Sequence, residues 1–402
     1  MVATPAPSGT PDGSRPLVVW CATTPWNGLR LLDQSMSVAL SRYADVLYVE
    51  PPISYLTRFR NPEAAAASGE RGMTQVADGL WRLSVRVPPL RHRPPFEQIV
   101  LWSTRRALGR GVRQLGRRRP RALIVPGLSP VFGSTNEEVS VLYCKDDYVA
   151  GADLMGVQKW SARLLQRSVE LPERADVVVA VSPLIQESVR AQGAEPILIP
   201  NGVDIEHFAE VPAPAPSRSP VVAFVGQLSA RVNVDMLVAV AEAGVRLRMI
   251  GPTQVTLPAG HFERLTSLGD RVEWAGRVAY EELPGQLADV TTCLVPYADT
   301  RFNRASFPLK ILEYLAAGRR VVSTPLPAVD WLDTDLVTSA TTPTGFARAV
   351  AASVTTPLGG DEIGRRRMFA QGHTWERRAE VLAQALALSG AAEEALPVVG
   401  SA

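Results

Sequence analysis

Short runs of Val, Ile, Leu and Ala alternate with amphipathic stretches of helical period along this 402-residue chain, and the series is written twice. The first series includes "LVVWCA" (17–22), "DVLYVEPP" (45–52), "LWRLSVRV" (80–87), "ALIVP" (122–126), "SVLYC" (140–144), "DVVVAVS" (176–182) and "PILIP" (196–200). The second runs through "VVAFVG" (221–226), "RLRMIG" (246–251), "RVEWAG" (271–276), "TTCLVP" (291–296) and "RVVST" (320–324). Between them "VPAPAPSRSP" (211–220) has the composition of a stiff linker. Strands alternating with helices predict a parallel α/β fold, and the length exceeds one ordinary core. The expected layout is a loose tail over 1–15, a first domain over 16–205 and a linker over 206–220. A second domain follows over 221–375, then a helix over 376–388 and a loose tail over 389–402. Two such sheets facing each other leave a cleft at their carboxyl ends, where open α/β sheets take ligands.

Composition narrows the function. A net charge of +2 by itself argues for no nucleic-acid partner. Cys21, Cys144 and Cys293 are scattered, with Cys21 and Cys293 in apolar runs, which reads as buried reduced thiols in a cytoplasmic protein without a metal motif. No apolar run reaches the roughly 18 residues that crossing a bilayer needs. The four His (92, 207, 261 and 373) sit near no partner that would suggest a triad or zinc site. The segment 91–121 carries ten Arg with Ile99, Trp102, Leu108, Val112 and Leu115 interleaved. It reads as an amphipathic helix with a solvated basic face, or as a peripheral contact with an anionic membrane.

Three stretches carry candidate chemistry. In "FNRASFPLKILEYLAAGRRVVSTP" (302–325), Ser306 is expected to cap a helix and Gly318 to end it. Free amides around Leu309, together with Lys310, would attract an anion, and Glu313 shares that face. Diphosphate and ribose fit that pattern; so does a plain surface ion pair. In "VGQLSARVNVDML" (225–237) a strand meets a turn at Gly226 and a helix from near Arg231, a residue suited to phosphate. In "YCKDDYVAG" (143–151), Asp146 and Asp147 read as groups for a sugar hydroxyl, as a divalent-metal site, or as a helix-capping pair.

Taken in order, "DVLYVEPP", "LYCKDD", "ADVVVAVSPLI", "IPNGVDIEHF", "FVGQLSARVNVDML", "MIGP", "WAGRVAYEELPGQLADV", "FPLKILEYLAAGRRVVST" and "HTWERRAEVL" resemble the GT-B glycosyltransferases. The chain is most similar to the retaining, nucleotide-sugar-dependent family 4, over about residues 16 to 380. The resemblance implies two Rossmann-like domains, the first for acceptor and the second for nucleotide-sugar, with the last helix crossing back to the first domain. It implies that Arg231 and Lys310 bind the donor diphosphate, with Gly226, Ser306 and Leu309 around it, and that Glu313 binds ribose. The base would meet Arg277 and Val278; Gly28, Asp146 and Asp147 would lie toward the acceptor, with Asp146 taking part in catalysis. The donor would be a UDP-, GDP- or dTDP-sugar and the acceptor a small molecule or glycan, with no cofactor and no required metal. The expected location is cytoplasmic, or peripheral at the inner membrane face.

One departure stands out. The family commonly carries a first glutamate eight positions before the second, and here that position is Ala305, with Asn303 and Ser306 as the nearby polar substitutes. A non-catalytic auxiliary subunit and a sugar-nucleotide epimerase therefore stand beside transfer as readings of the sequence.

Overall fold

The computed structural model describes residues 15–68, 71–89, 96–152, 161–217, 219–253 and 257–388. They form two compact units. The first gathers the described residues within Met1–Asp146, Ala162–Pro200 and Trp375–Ala402, and the second those within Asp147–Ser161 and Asn201–Thr374.

The strands of the first unit are β1 (Leu17–Cys21), β2 (Asp45–Val49), β3 (Ile53–Ser54), β4 (Gly72–Ala77) and β5 (Leu80–Ser84). They continue with β6 (Arg86–Val87), β7 (Ala122–Val125), β8 (Val139–Cys144), β9 (Val177–Ala180) and β10 (Ile197–Leu198). Eight of them form one sheet in the order β10-β9-β8-β7-β1-β2-β5-β4, parallel throughout except for the β4–β5 hairpin. Val18, Val19 and Trp20 of β1 and Leu123 and Ile124 of β7 are wholly buried. Covered on both faces, such strands need a continuous apolar run rather than alternation. "LWRLSVRV", expected as one strand, is two: after Ser84 the chain leaves the sheet, and β6 pairs with β3 in a separate ribbon. The helix Trp375–Ala385 packs on the helix Leu32–Leu40, burying Ala379 and Leu382 near Met36 and Leu40. Arg121 Nε ties down its end by donating to the Leu386 carbonyl at 2.7 Å.

In the second unit, β11 (Val221–Val225), β12 (Arg246–Ile250), β13 (Val272–Gly276), β14 (Val290–Val295), β15 (Arg320–Ser323) and β16 (Val337–Ser339) form a parallel sheet. Its order is β13-β12-β11-β14-β15-β16. Val222, Phe224, Leu237, Val240, Leu294 and Phe346 lie at the centre of its core. The stretch expected as a linker, 206–220, belongs to this unit in its described part. Val211 is buried, and its carbonyl accepts from Arg367 Nη2 at 2.6 Å. Arg319 is fully enclosed and donates to the carbonyls of Leu287, Ala288 and Pro212. Burial lowers its pKa to about 10, so the guanidinium stays charged; the carbonyls take its Nε and Nη2, while the buried Nη1 finds no hydrogen-bond partner among the described residues. Composition suggested a spacer; a buried arginine docks it instead.

The three cysteines are free. Cys293 is buried and its thiol is pushed up to about 12 by desolvation; Cys21 and Cys144 are half-buried as residues, and burial raises both of their thiols as well. Among the described residues no helix is long and apolar enough to cross a membrane. The tails expected over 1–15 and 389–402 lie outside the described residues except for Arg15.

Candidate active site

Three strands of the second unit end on glycines held close together. Gly226 N donates to the Ile250 carbonyl at 2.8 Å, and Gly251 N to the Gly276 carbonyl at 2.7 Å. A Cβ at Gly251 would sit 2.0 Å from the Gly226 oxygen, with φ at +136°, so no side chain fits there. Gly226 thus marks a place where backbone alone forms the wall. Arg277 and Val278 follow Gly276 directly; Arg277 is exposed and Val278 half-buried.

Arg231 lies in the loop after β11. The helix expected from near Arg231 starts three residues on: Val232 bridges to Tyr297, and Asn233 caps the helix that begins at Val234 by accepting from Asp235 N. The guanidinium is fixed on several sides. Its Nε donates to Asn303 Oδ1 at 2.9 Å and its Nη2 to Ser306 Oγ at 3.2 Å. The rings of Tyr297 and Phe302 lie 4.9 and 4.8 Å from its central carbon, within cation–π range. Such a cation is pre-organised and loses little side-chain entropy on meeting an anion.

Asn303 is the residue on which this arrangement turns. It is wholly buried, and its Nδ2 donates to the carbonyls of Arg231 and Ala298, each at 2.9 Å. With Oδ1 taken by Arg231, its amide is spent on the loop and is not available to stand in for the glutamate missing at Ala305. Ser306 is likewise engaged. Its Oγ donates to the Asn303 carbonyl at 2.9 Å and ends the helix Arg301–Ala305, instead of capping the helix that follows. That next helix, Leu309–Ala316, starts after Pro308 with no side-chain cap. Its first amides, Leu309 and Lys310 among them, have no partner within the helix.

Lys310 Nζ pairs with Glu313 Oε2 at 2.7 Å; the lysine is about one-fifth exposed and the glutamate nearly enclosed. Tyr314, next on this helix, accepts from Val225 N at 3.1 Å and donates to the Val225 carbonyl. Burial holds its phenol well above the usual range, so it stays neutral and clamps the helix to the end of β11. At the far end Gly318 takes φ +73°, with Gly318 N bonded to the Leu315 carbonyl and Arg319 N to that of Tyr314, as expected for a left-handed cap. A Cβ there would also meet Ile363 at 2.6 Å. Asn201, which the sequence reading did not single out, donates from Nδ2 to the Phe307 carbonyl at 2.7 Å and so fixes the turn before Pro308.

The remaining candidates are placed elsewhere. Gly28 belongs to the loop 22–31 of the first unit. Its amide donates to the Pro25 carbonyl at 3.0 Å, and a Cβ would approach that same oxygen to 3.0 Å, so the turn alone already favours glycine. This loop is organised by Asp33, a residue sequence reasoning missed. Its carboxylate accepts from Thr23 N and Thr24 Oγ1, from Trp20 Nε1, and from Lys145 Nζ at 3.1 Å. Desolvation opposes ionisation of Asp33, but Lys145 and the Thr23 donors outweigh it and lower its pKa. Asp33 lies in the first turn of the helix Leu32–Leu40, not at its N-cap, and reaches back to Thr23 and Thr24, so no local capping pattern marks it. Asp146 follows β8 in the first unit, while Asp147 belongs to the second. Asp147 Oδ1 caps a turn by accepting from Ala150 N, and Oδ2 pairs with Arg301 at 3.1 Å. Among the described residues no group of three or more His, Cys, Asp and Glu side chains is placed to hold a metal ion.

Known proteins match both the fold and this unit. Sucrose-phosphate synthase from Thermosynechococcus elongatus superposes with a TM-score of 0.70 at 17% identity, over 92% of this chain and 98% of that one. The Anabaena protein HepE, whose structure holds UDP and glucose, gives 0.61 at 14% identity, over 93% of this chain and 99% of its own. Two parallel-sheet units, with the helix Trp375–Ala385 counted in the first, make this a GT-B fold. Residues 219–356, the heart of the second unit, match the family described as glycosyl transferases group 1. A Bacillus subtilis (strain 168) protein, assigned by name to teichuronic acid biosynthesis as the glycosyltransferase TuaH, is 30% identical over 181 residues. That match spans 41% of this chain and 45% of the relative.

Proposed function

We propose that the chain transfers a sugar from a nucleotide-sugar to an acceptor hydroxyl or amine, with retention at the anomeric carbon. The observation that carries this reading is the clamped Arg231 beside the open start of the helix Leu309–Ala316. In this reading Arg231, Lys310 and the amides near Leu309 bind the diphosphate, and Glu313 binds the ribose. The base lies along Arg277 and Val278. Lys310 pairs with Glu313, and in this reading an incoming phosphate and ribose divide the pair, each taking one partner. The group 1 match supports transfer over the auxiliary and epimerase readings, and the UDP held by HepE supports a uridine nucleotide.

The chemistry asked of the protein is modest. As the bond from the anomeric carbon to the diphosphate breaks, negative charge grows on the leaving oxygens. Fixed cations and amide dipoles stabilise that charge without reorganising. A departing phosphate oxygen accepts the acceptor's proton on the same face, so no protein base is needed for that step. In this scheme Gly28, Asp146 and Asp147 belong to acceptor positioning. Since Asn303 is spent on the loop, recognition of the donor sugar falls to backbone groups or to other side chains. The test is release of free nucleotide from a panel of UDP-, GDP- and dTDP-sugars with and without acceptor pools. Nucleotide binding with no turnover on any pool supports the auxiliary reading, and C2 inversion without transfer supports the epimerase.

A further inference from the structure

The face of the first unit around the helix Phe96–Gln114 combines exposed apolar side chains with a row of arginines. The inward side of the helix is Val100, Thr104, Leu108, Gly111 and Val112. Its outward side begins with Ile99 and Trp102, 44% and 61% exposed, and ends with the exposed Arg106, Arg110 and Arg113. The helix packs beside β6, and β6 pairs with β3. The chain leaves β3 through Tyr55, whose amide donates to the Val87 carbonyl at 3.1 Å, and continues to Phe59; these two rings are 49% and 69% exposed. Glu97 at the helix start is engaged by Arg167, and it is the one carboxylate in the helix Phe96–Gln114 against four Arg.

We propose that this face docks on an anionic lipid bilayer. Ile99 and Trp102 stand exposed at one end of the helix, where acyl chains and the interface would take them. An arginine row continues along the same side, at the level of the headgroup phosphates. Arg106 stacks over the Trp102 ring at 5.5 Å, joining the two zones. A second copy of the chain fits this face poorly, because a two-fold contact would set the arginine row against itself. A bilayer offers the matching order of layers, apolar beneath and negative above. The inference stands apart from the transfer reading and concerns where the first unit sits, not what the second unit binds.

The experiment is vesicle flotation of the full-length protein with phosphatidylcholine alone and with phosphatidylcholine containing phosphatidylglycerol, at low and high salt. Binding is expected only with phosphatidylglycerol and should fall with salt. I99S/W102S and R106E/R110E should each lower partitioning at least about tenfold while leaving circular dichroism and the melting temperature unchanged, since all four side chains are partly or largely solvated. Equal binding to both vesicle types, no binding at all, or variants that float like wild type would each overturn the proposal. So would a concentration-dependent dimer in light scattering that I99S/W102S dissolves, which would assign the face to a second copy.

Discussion

Replacing Gly251 by alanine tests whether the glycine-lined wall matters to nucleotide binding. The new Cβ would lie 2.0 Å from the Gly226 oxygen and 2.7 Å from its carbonyl carbon, whereas real Cβ contacts stay beyond 3.0 Å. The two backbones must therefore separate by about 1 Å, at a point where Gly226 also bonds to Ile250 and Gly251 to Gly276. Strain at φ +136° adds to the clash, and together they should cost about 1–3 kcal/mol. For a unit of this size, at about 2–4 °C per kcal/mol, that lowers the melting temperature by roughly 2–12 °C. The displaced strand end leads into the loop that carries Arg231, and a misplacement of about 1 Å is worth on the order of 10² in rate. Differential scanning calorimetry and UDP titration calorimetry read the two effects, with UDP release from a matched sugar donor as the activity assay. Gly269→Ala is the control. It has φ +59° and open space around its Cβ, so it should show a smaller thermal loss and unchanged UDP affinity. If G251A melts and binds UDP like wild type, the wall is not where the ligand meets backbone, and the reasoning fails.

Three further outcomes are expected. Arg231→Ala and Lys310→Ala should each lower turnover by roughly 10²–10³, the scale of losing one transition-state donor; near-normal rates in both would remove the site. Lys145→Met leaves Asp33 enclosed without its cation and should cost about 3–5 kcal/mol in urea unfolding, with part regained when Asp33 is also made apolar. Glu362, bonded by Arg320 and then by Arg366, is held down at about 2 from an ordinary 4.5. Because the folded pKa is the lower one, its stabilisation is complete above about pH 4.5 and drains away as pH falls toward about 2. Glu362→Gln should flatten the dependence of the urea midpoint across that window, and an unchanged slope would place the acid sensitivity elsewhere.

The sheet strands were legible because double burial demands long apolar runs, and β1, β7, β11 and β14 have them. The hairpin strand β4 was not: its residues are half exposed and its pairing is set by the turn, so no apolar run announces it. Arg231, Lys310 and Glu313 were found by residue type and place. What they touch was not legible, since Asn303 and Tyr314 act through contacts 72 and 89 residues away in sequence. Local propensity misled at Ser306, where a good capping residue bonds backward to Asn303 instead. Composition misled at 211–220, where the buried Arg319 holds a proline-rich stretch in place from a hundred residues downstream.

The first unit is completed by a helix that arrives very late. Met36 and Leu40 stand ready to be covered from the moment the segment near residue 40 leaves the ribosome, yet their cover is Trp375–Ala385. At 5–20 residues per second that interval is roughly 20–70 s. The second unit, uninterrupted from Asn201 to Thr374 apart from its 147–161 segment, has all its strands in hand before then. Folding order during synthesis thus runs against the order of the chain, with the earliest-made unit finishing last. Until it does, an apolar helix face lies open to chaperones.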